Sequence, residues 1–320
     1  METRSIGSLT VSRLGLGCND FGMTRDEETV LEIVHAALDA GITYFDTADV
    51  YGGGDSERFL GKALKSRRSE VIIATKFGTP GTPPGNVTPG SAVWIERAVE
   101  SSLIRLDVDY IDHYQIHYFD PLTPLDETMD ALDHLVKSGK VRELGCANFG
   151  GTELKQSFSV SDQKKLASFR SLQSRYNVIY RQPELDGSLA ACGDQASFIP
   201  FFPLENGILT GKYRNDAPPP ADSRQARWDH SITSKYFSPE KIARATKLVE
   251  YAAERGRTGV ELALGWLAVN PTISTIIAGA SRPDQVVSNS QALGWEFTES
   301  ELREIDEIAI GDLAADTSAS

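Results

Sequence analysis

The chain has 320 residues, 40% of them apolar and 24% charged, ordinary values for a protein with a sizeable core. Thirty-two Lys and Arg against 45 Asp and Glu leave a net charge of −13 with no long basic block. That balance argues against nucleic acid or an anionic membrane as partner, and no run approaches the ~18 apolar residues of a membrane span.

From the N-terminus, Ile6-Gly-Ser-Leu9 reads as a hairpin turn and Leu14–Gly17 as a short strand. A helix is expected from the capping box Thr24-x-x-Glu27, with its apolar stripe at Val30, Val34, Ala37 and Leu38 and its end at Gly41. The alternation then repeats. Strand 42–45 precedes a helix near 55–65, strand 71–75 one near 91–106, and strand 110–116 one near 125–137. Strand 141–146 leads to a short helix near 151–158, and strand 168–173 to a segment near 182–194. Strand 198–202 leads to a long loop and helices near 239–254 and 258–269. Strand 273–277 leads to a helix near 283–293, and a final helix is expected near 298–309.

Eight strand-then-helix units imply a parallel sheet closed into an α/β barrel, a (β/α)8 TIM barrel with an N-terminal β-hairpin and extra C-terminal helices. An open doubly wound sheet is disfavoured, because Gly15-Leu-Gly17 lacks the spacing of a dinucleotide fingerprint. Residues 1–310 are read as one domain and 311–320 as a frayed tail. Two long loops, 78–92 and 214–237, follow strands and are candidates for ligand contacts.

Four chemistry-bearing residues fall just beyond strands. Asp46 follows Gly41–Phe45, Tyr51 lies five positions further, Lys76 follows Val71–Thr75, and His117 closes 110–116. At one rim of a parallel barrel they can meet. An unperturbed tyrosine has a pKa of ~10, and a neighbouring ammonium favours its phenolate. A carboxylate would keep that ammonium charged and fixed, and a phenol with an imidazole can hold an oxygen on which charge grows. The chain therefore reads as an enzyme. Singly, each residue has a plain alternative as a turn cap, a loop lysine or a surface ring; together they favour catalysis. His113 and His117 share a strand face, but no third ligand stands at metal-binding spacing, so no metal is expected. Cys18, Cys146 and Cys192 form no CxxC pair and are read as reduced buried thiols of a cytoplasmic protein. Phe21, Phe77, Tyr118 and Trp228 are candidate aromatics of the mouth.

Phe45-Asp-Thr-Ala-Asp-Val-Tyr-Gly52, Ser56-Glu57, Ala74-Thr-Lys-Phe77, Tyr114-Gln-Ile-His117 and Gly145-Cys-Ala-Asn-Phe149 together resemble the aldo-keto reductase superfamily. Ser171-Leu-Gln173, Gly207-Ile-Leu-Thr-Gly-Lys-Tyr213 and Gly279-Ala-Ser-Arg-Pro-Asp-Gln285 with Asn289 continue the likeness in order. The resemblance implies an NAD(P)H-dependent reductase of aldehydes and ketones acting on a small carbonyl or alcohol substrate. It makes Tyr51 the proton donor, Lys76 and Asp46 its tuning ion pair, and His117 the group that orients the carbonyl. It also implies that Asn148 and Gln173 hold the nicotinamide carboxamide and that Phe201 stacks on the ring. Leu204, Gly207, Leu209 and Lys212 would embrace the pyrophosphate, with Arg224 closing over it. Gly279, Arg282, Gln285 and Asn289 would meet the adenosine end, and an arginine there suits a 2′-phosphate, hence NADPH over NADH. Departures are Ala147 for a frequent serine, Ser288 for a frequent glutamate, and Glu205, an acid in the pyrophosphate loop expected to turn to solvent. The same family also contains channel-associated members, so a cofactor-binding regulatory subunit is the alternative.

Overall fold

A computed structural model of the protein describes residues 1–221 and 223–310, excepting the side chains of Arg224, Ile232 and Lys235. The expected tail, 311–320, lies outside the described residues. Among the described residues ten strands occur in the order β1 Thr3–Ile6, β2 Leu9–Ser12, β3 Leu14–Gly17, β4 Tyr44–Asp46, β5 Ile72–Phe77, β6 Ile111–Ile116, β7 Val141–Ala147, β8 Phe169–Arg175, β9 Ser197–Phe201 and β10 Ile276–Gly279. β1 and β2 form an antiparallel hairpin. The other eight close into a barrel in chain order, β10 pairing with β3, every neighbour parallel. The (β/α)8 barrel with its N-terminal hairpin is thus the fold.

Residue contacts group the chain into two compact units, 1–175 with 182–201 and 272–290, and 176–181 with 202–271 and 291 onward. The first holds the whole barrel. Its helix Glu27–Asp39 buries Val30, Ile33, Val34, Ala37 and Leu38, the expected stripe with one addition. The hairpin lays Ile6, Leu9 and Val11 against Tyr44, Ile72, Ala74, Ile199 and Ile277, all nearly or fully buried. Arg4 donates to the Ile273 carbonyl, and Ser197 and Ser274 donate to the Ser5 carbonyl. The hairpin is therefore fastened where β9 and β10 begin, away from the strand ends that carry Asp46, Lys76 and His117.

In the second unit, helix Pro239–Glu254 is followed by Gly259–Val269, whose start carries a full capping box of Thr258 and Glu261, and by Glu299–Ile310. Among the described residues no helix is long and apolar enough to cross a membrane.

Four boundaries differ from expectation. The first helix starts at Glu27 and is capped by Asp26, whose side chain accepts from the Thr29 amide; Thr24 instead sits in a turn on the Asp20 carbonyl. The last strand is Ile276–Gly279, not 273–277, because its register is set by pairing with Leu14–Gly17. The helix expected at 151–158 runs to Lys164, its later turns presenting Ser157 and Ser161 where apolar residues would mark a stripe. Loop 214–237 contains two short helices, Arg224–Arg227 and His230–Tyr236.

Candidate active site

Strand alternation aims one set of side chains into the barrel, and two polar layers result. In the lower layer His113 is held on both ring nitrogens, 2.7 Å from Tyr44 Oη at Nδ1 and 2.9 Å from Ser171 Oγ at Nε2. Burial, with Lys76's charge, drops its pKa to about 3, so it is neutral and committed to neighbours. Both of its ring nitrogens are thus engaged by protein hydroxyls. Gly145 must be glycine here, since a Cβ would stand 2.5 Å from both His113 Nε2 and Ser171 Oγ.

The upper layer is centred on Asp46. Lys76 Nζ donates to Asp46 Oδ2 at 2.6 Å and to the Thr47 carbonyl at 2.9 Å. Asp46 Oδ1 accepts from Gln173 Nε2 at 2.8 Å and Gln115 Nε2 at 3.2 Å. Lys76 is fully buried and the Asp46 side chain nearly so. Burial works against the ammonium, yet Asp46 and then Tyr51 outweigh it and raise its pKa. The lysine is a permanent cation.

Tyr51 reaches that cation because the chain turns sharply behind it. Gly52, Gly53 and Gly54 have φ of 57°, 65° and 96°, the left-handed region open to glycine. A Cβ on Gly52 would lie 2.7 Å from the Phe21 carbonyl oxygen. The turn is anchored from beneath: Thr47 and Asp49 donate their amides to the Ala74 and Lys76 carbonyls. Ser56 Oγ donates to the Cys18 carbonyl at 2.8 Å, and buried Glu57 accepts from Thr75 Oγ1 and Arg105 Nε, each at 2.6 Å. Lys76 Nζ lies 5.1 Å from the centroid of the Tyr51 ring, close enough for its charge to act on the phenol. Its pKa is nonetheless raised: burial pushes it up, Lys76 pulls it back, and Asp46 adds to the rise. The ammonium does not produce a phenolate at neutral pH. The phenol keeps its proton, the state a donor needs.

His117 completes the group. Its ring centroid is 5.9 Å from that of Tyr51, edge-on at 81°, and Tyr118 stacks on its other side at 4.9 Å. Burial and Lys76's charge lower its pKa to about 3, so it is a neutral imidazole. Its amide donates to the Phe77 carbonyl at 2.7 Å, and its carbonyl accepts from Asn148 Nδ2 at 3.0 Å. All four expected residues thus meet at one rim of the first unit.

The remaining candidates are placed as follows. Asn148, at φ 56°, ties its backbone amide to the Gln173 carbonyl at 2.9 Å, which brings the residue just past β7 beside Gln173 of β8. Phe201 ends β9 and is partly buried. Gly279 ends β10 exposed, Arg282 pairs with Asp284 on the surface, and Gln285 Oε1 accepts from Ser281 N and Oγ. Asn289 is buried. In the second unit Leu204 and Gly207 are partly exposed and Lys212 is exposed, while the Leu209 side chain is buried and can offer a ligand nothing but backbone. The Arg224 side chain lies outside the described residues. Glu205 does not turn to solvent: fully buried, it accepts from Asn177 Nδ2 at 2.7 Å and pairs with Lys241 Nζ at 3.0 Å. Its position at φ 47° sends the side chain inward. Phe21 and Phe77 are also fully buried, Phe77 stacking on Tyr114 at 4.8 Å, so Tyr118 alone of the aromatics expected at the mouth is exposed in this unit. The three thiols are buried and free.

Sequence reasoning did not single out Gln115, Asp49, Arg105 or Thr79, which support the four. Asp49 lies three residues beyond Asp46, the end of β4, and has a buried Oδ1 with no partner. Burial and then the charge of Glu57 raise its pKa to about 7, against the pull of Arg105, the Val50 amide and Lys76. The native protein therefore holds a proton there that an unfolded chain, with an aspartate pKa of ~3.9, has released. More protons on the native state means stability falls as pH rises from about 4 to about 7, and then levels. Asp49→Asn should flatten this fall in urea titrations between about pH 5 and pH 8.5; an unchanged slope would contradict it.

The aldo/keto reductase family model matches residues 13–310. The chain belongs to the aldo/keto reductase family. It is 32% identical over 317 residues to the aldo-keto reductase YhdN of Bacillus subtilis, covering 96% of this chain and 93% of that one. It is 30% identical over 311 residues to a probable voltage-gated potassium channel subunit beta of Oryza sativa, covering 92% and 91%. Among solved structures, the glycerol dehydrogenase AKR11B4 of Gluconobacter oxydans matches with a TM-score of 0.80 at 29% identity, over 96% of this chain and 95% of that one. The protein is accordingly an oxidoreductase of the aldo/keto reductase family.

Proposed function

We propose that this aldo/keto reductase reduces aldehydes or ketones to alcohols with NADPH, reversibly, using Tyr51 as general acid. The observation that carries the reading is a protonated Tyr51 whose ring lies 5.1 Å from the ammonium of buried, charged Lys76, with neutral His117 beside it. A bound dihydronicotinamide supplies hydride to a carbonyl carbon. Everything else is work for the protein. Tyr51 and His117 hydrogen-bond the carbonyl oxygen, Tyr51 passes it a proton as charge builds, and Lys76 stabilises the phenolate left behind. Asp46 keeps Lys76 charged and, with Gln115 and Gln173, fixed in place.

The residues present fit a nicotinamide. Asn148 and Gln173 spend their amide nitrogens on His117 and Asp46, and neither amide oxygen takes a hydrogen bond among the described residues. Two acceptors side by side suit a carboxamide's N–H groups. We assign Phe201 to the ring, and Gly279, Arg282, Gln285 and Asn289 to the adenosine end. In the other unit, the loop Leu204–Gly207 turns through three consecutive residues at positive φ, Glu205, Asn206 and Gly207, and with Leu209, Lys212 and Arg224 we assign it to the pyrophosphate. The Arg282–Asp284 pair is exposed and weak, so a 2′-phosphate can take the guanidinium from it. NADPH should therefore give the higher kcat/KM; NADH efficiency equal or greater would refute the preference.

The likeness to a channel subunit beta supports a second reading, a cofactor-binding regulatory subunit with vestigial turnover. Tight NADPH binding with no turnover on any carbonyl, and a stoichiometric membrane partner, would establish it instead.

A further inference from the structure

We propose that Thr79 is a positioning residue whose hydroxyl donates to Nδ1 of His117 and so fixes the proton of that imidazole on Nε2. The inference deepens the reading of His117 as a donor to the substrate oxygen and rests on it.

The geometry is specific. Thr79 Oγ1 stands 3.1 Å from His117 Nδ1, and among the described residues no other protein atom is bonded to either. The ring cannot turn away easily. Tyr118 is stacked on it, Tyr51 meets it edge-on, and the Phe77 and Asn148 contacts clamp its backbone on both sides. Thr79 is equally constrained. Gly78, at φ 83°, turns the chain out of β5, and Thr82 returns to the Thr79 carbonyl with both its amide, at 3.2 Å, and its hydroxyl, at 2.6 Å. The loop is tied again at its far end, where the Gly90 amide donates to Asp120 Oδ2 at 2.8 Å.

The chemistry supplies the direction. His117 is neutral, so it carries one N–H and one lone pair. If Nδ1 held the proton and Thr79 accepted it, Nε2 would present its lone pair to the substrate oxygen, and two lone pairs would face each other. If Thr79 donates, Nε2–H is left to hydrogen-bond that oxygen. The hydroxyl has no other acceptor among the described residues, so donating to Nδ1 also satisfies its own hydrogen. The two tautomers of a free imidazole lie close in energy, and one hydrogen bond decides between them. The loop that follows β5 thus has a task at the reacting oxygen without touching it.

The test compares Thr79→Val, which keeps the branched shape without the hydroxyl, and Thr79→Ser, which keeps the hydroxyl. Protein labelled with 15N-histidine would be followed by NMR, with the His117 signals identified by their loss in His117→Gln. In the wild type we expect Nε2 protonated and Nδ1 bare at neutral pH. In Thr79→Val the two nitrogens should move toward each other in shift as the tautomers mix, and in Thr79→Ser they should return. The kcat of Thr79→Val should fall about tenfold at unchanged NADPH affinity, with Thr79→Ser near the wild type. Nδ1 protonated in the wild type, or Thr79→Val with wild-type shifts and kcat within about twofold, would overturn the proposal. The NMR arm reads Thr79 whether or not the enzyme reduces carbonyls. Failure of the reductase reading itself would show separately, as a Tyr51→Phe variant that keeps its turnover.

Discussion

Tyr51→Phe should lower kcat by about a thousandfold while leaving NADPH affinity within a few-fold of the wild type. The phenol lies beside the Lys76 ammonium, and its raised pKa means it would begin a reduction with the proton in place. Phenylalanine keeps the ring that meets His117 edge-on, so packing survives and the donor alone is lost. A titration of NADPH fluorescence and a steady-state rate with one aldehyde measure both quantities. Substantial turnover in the variant would remove Tyr51 from the mechanism. Lost cofactor binding would mean that the ring, and not the hydroxyl, is what the site needs.

Lys76→Met should damage both catalysis and stability. The lysine is fully buried, and its removal leaves Asp46 with two amides and no counter-ion, while the Thr47 carbonyl loses a donor. Breaking one side of a buried pair costs about 3–5 kcal/mol, enough to lower Tm by roughly 10 °C in a domain of this size. Turnover should fall by more than about a thousandfold, since nothing then stabilises the phenolate that Tyr51 becomes on giving up its proton. The double change Asp46→Asn with Lys76→Met separates the two effects. With no stranded charge it should regain most of the lost Tm and none of the turnover. A single variant as stable as the wild type would show that Asp46 does not depend on Lys76.

The barrel was legible because short apolar runs alternate with helical stretches in order along the chain, as at Ile72–Phe77 before Ala92–Leu106 and Ile111–Ile116 before Leu125–Lys137. The four site residues were legible because each lies within a few positions of a strand end, and strand ends of a parallel barrel converge. What could not be read was anything decided across the barrel. Gln115 stands inside a recognised motif, yet its role exists only because Asp46 faces it from β4. Thr79 reads as one more threonine of a Gly- and Pro-rich loop until His117 is seen beside it. Glu205 was expected in solvent because a lone acid in a loop usually is; the partners that make its burial tolerable, Asn177 and Lys241, are 28 and 36 positions away. The start of the last strand was missed because Ile273-Ser-Thr-Ile-Ile-Ala has strand-forming residues throughout, and pairing with β3 alone fixes where it begins. Asp49 is one of two aspartates in the Asp46–Tyr51 segment, and its difference from Asp46 is environmental. Asp46 meets an ammonium, while Asp49 meets burial and a second acid.

The central claim is hydride transfer to a carbonyl, and isotope transfer tests it most directly. Purified protein would be given NADPH deuterated at the transferring position of the nicotinamide C4, with a panel of aldehydes and ketones, and the alcohols analysed by mass spectrometry. We predict alcohol carrying one deuterium on its carbinol carbon, formed in step with the loss of NADPH absorbance. Alcohol without deuterium, or no alcohol from any carbonyl while NADPH is tightly bound, would contradict the account.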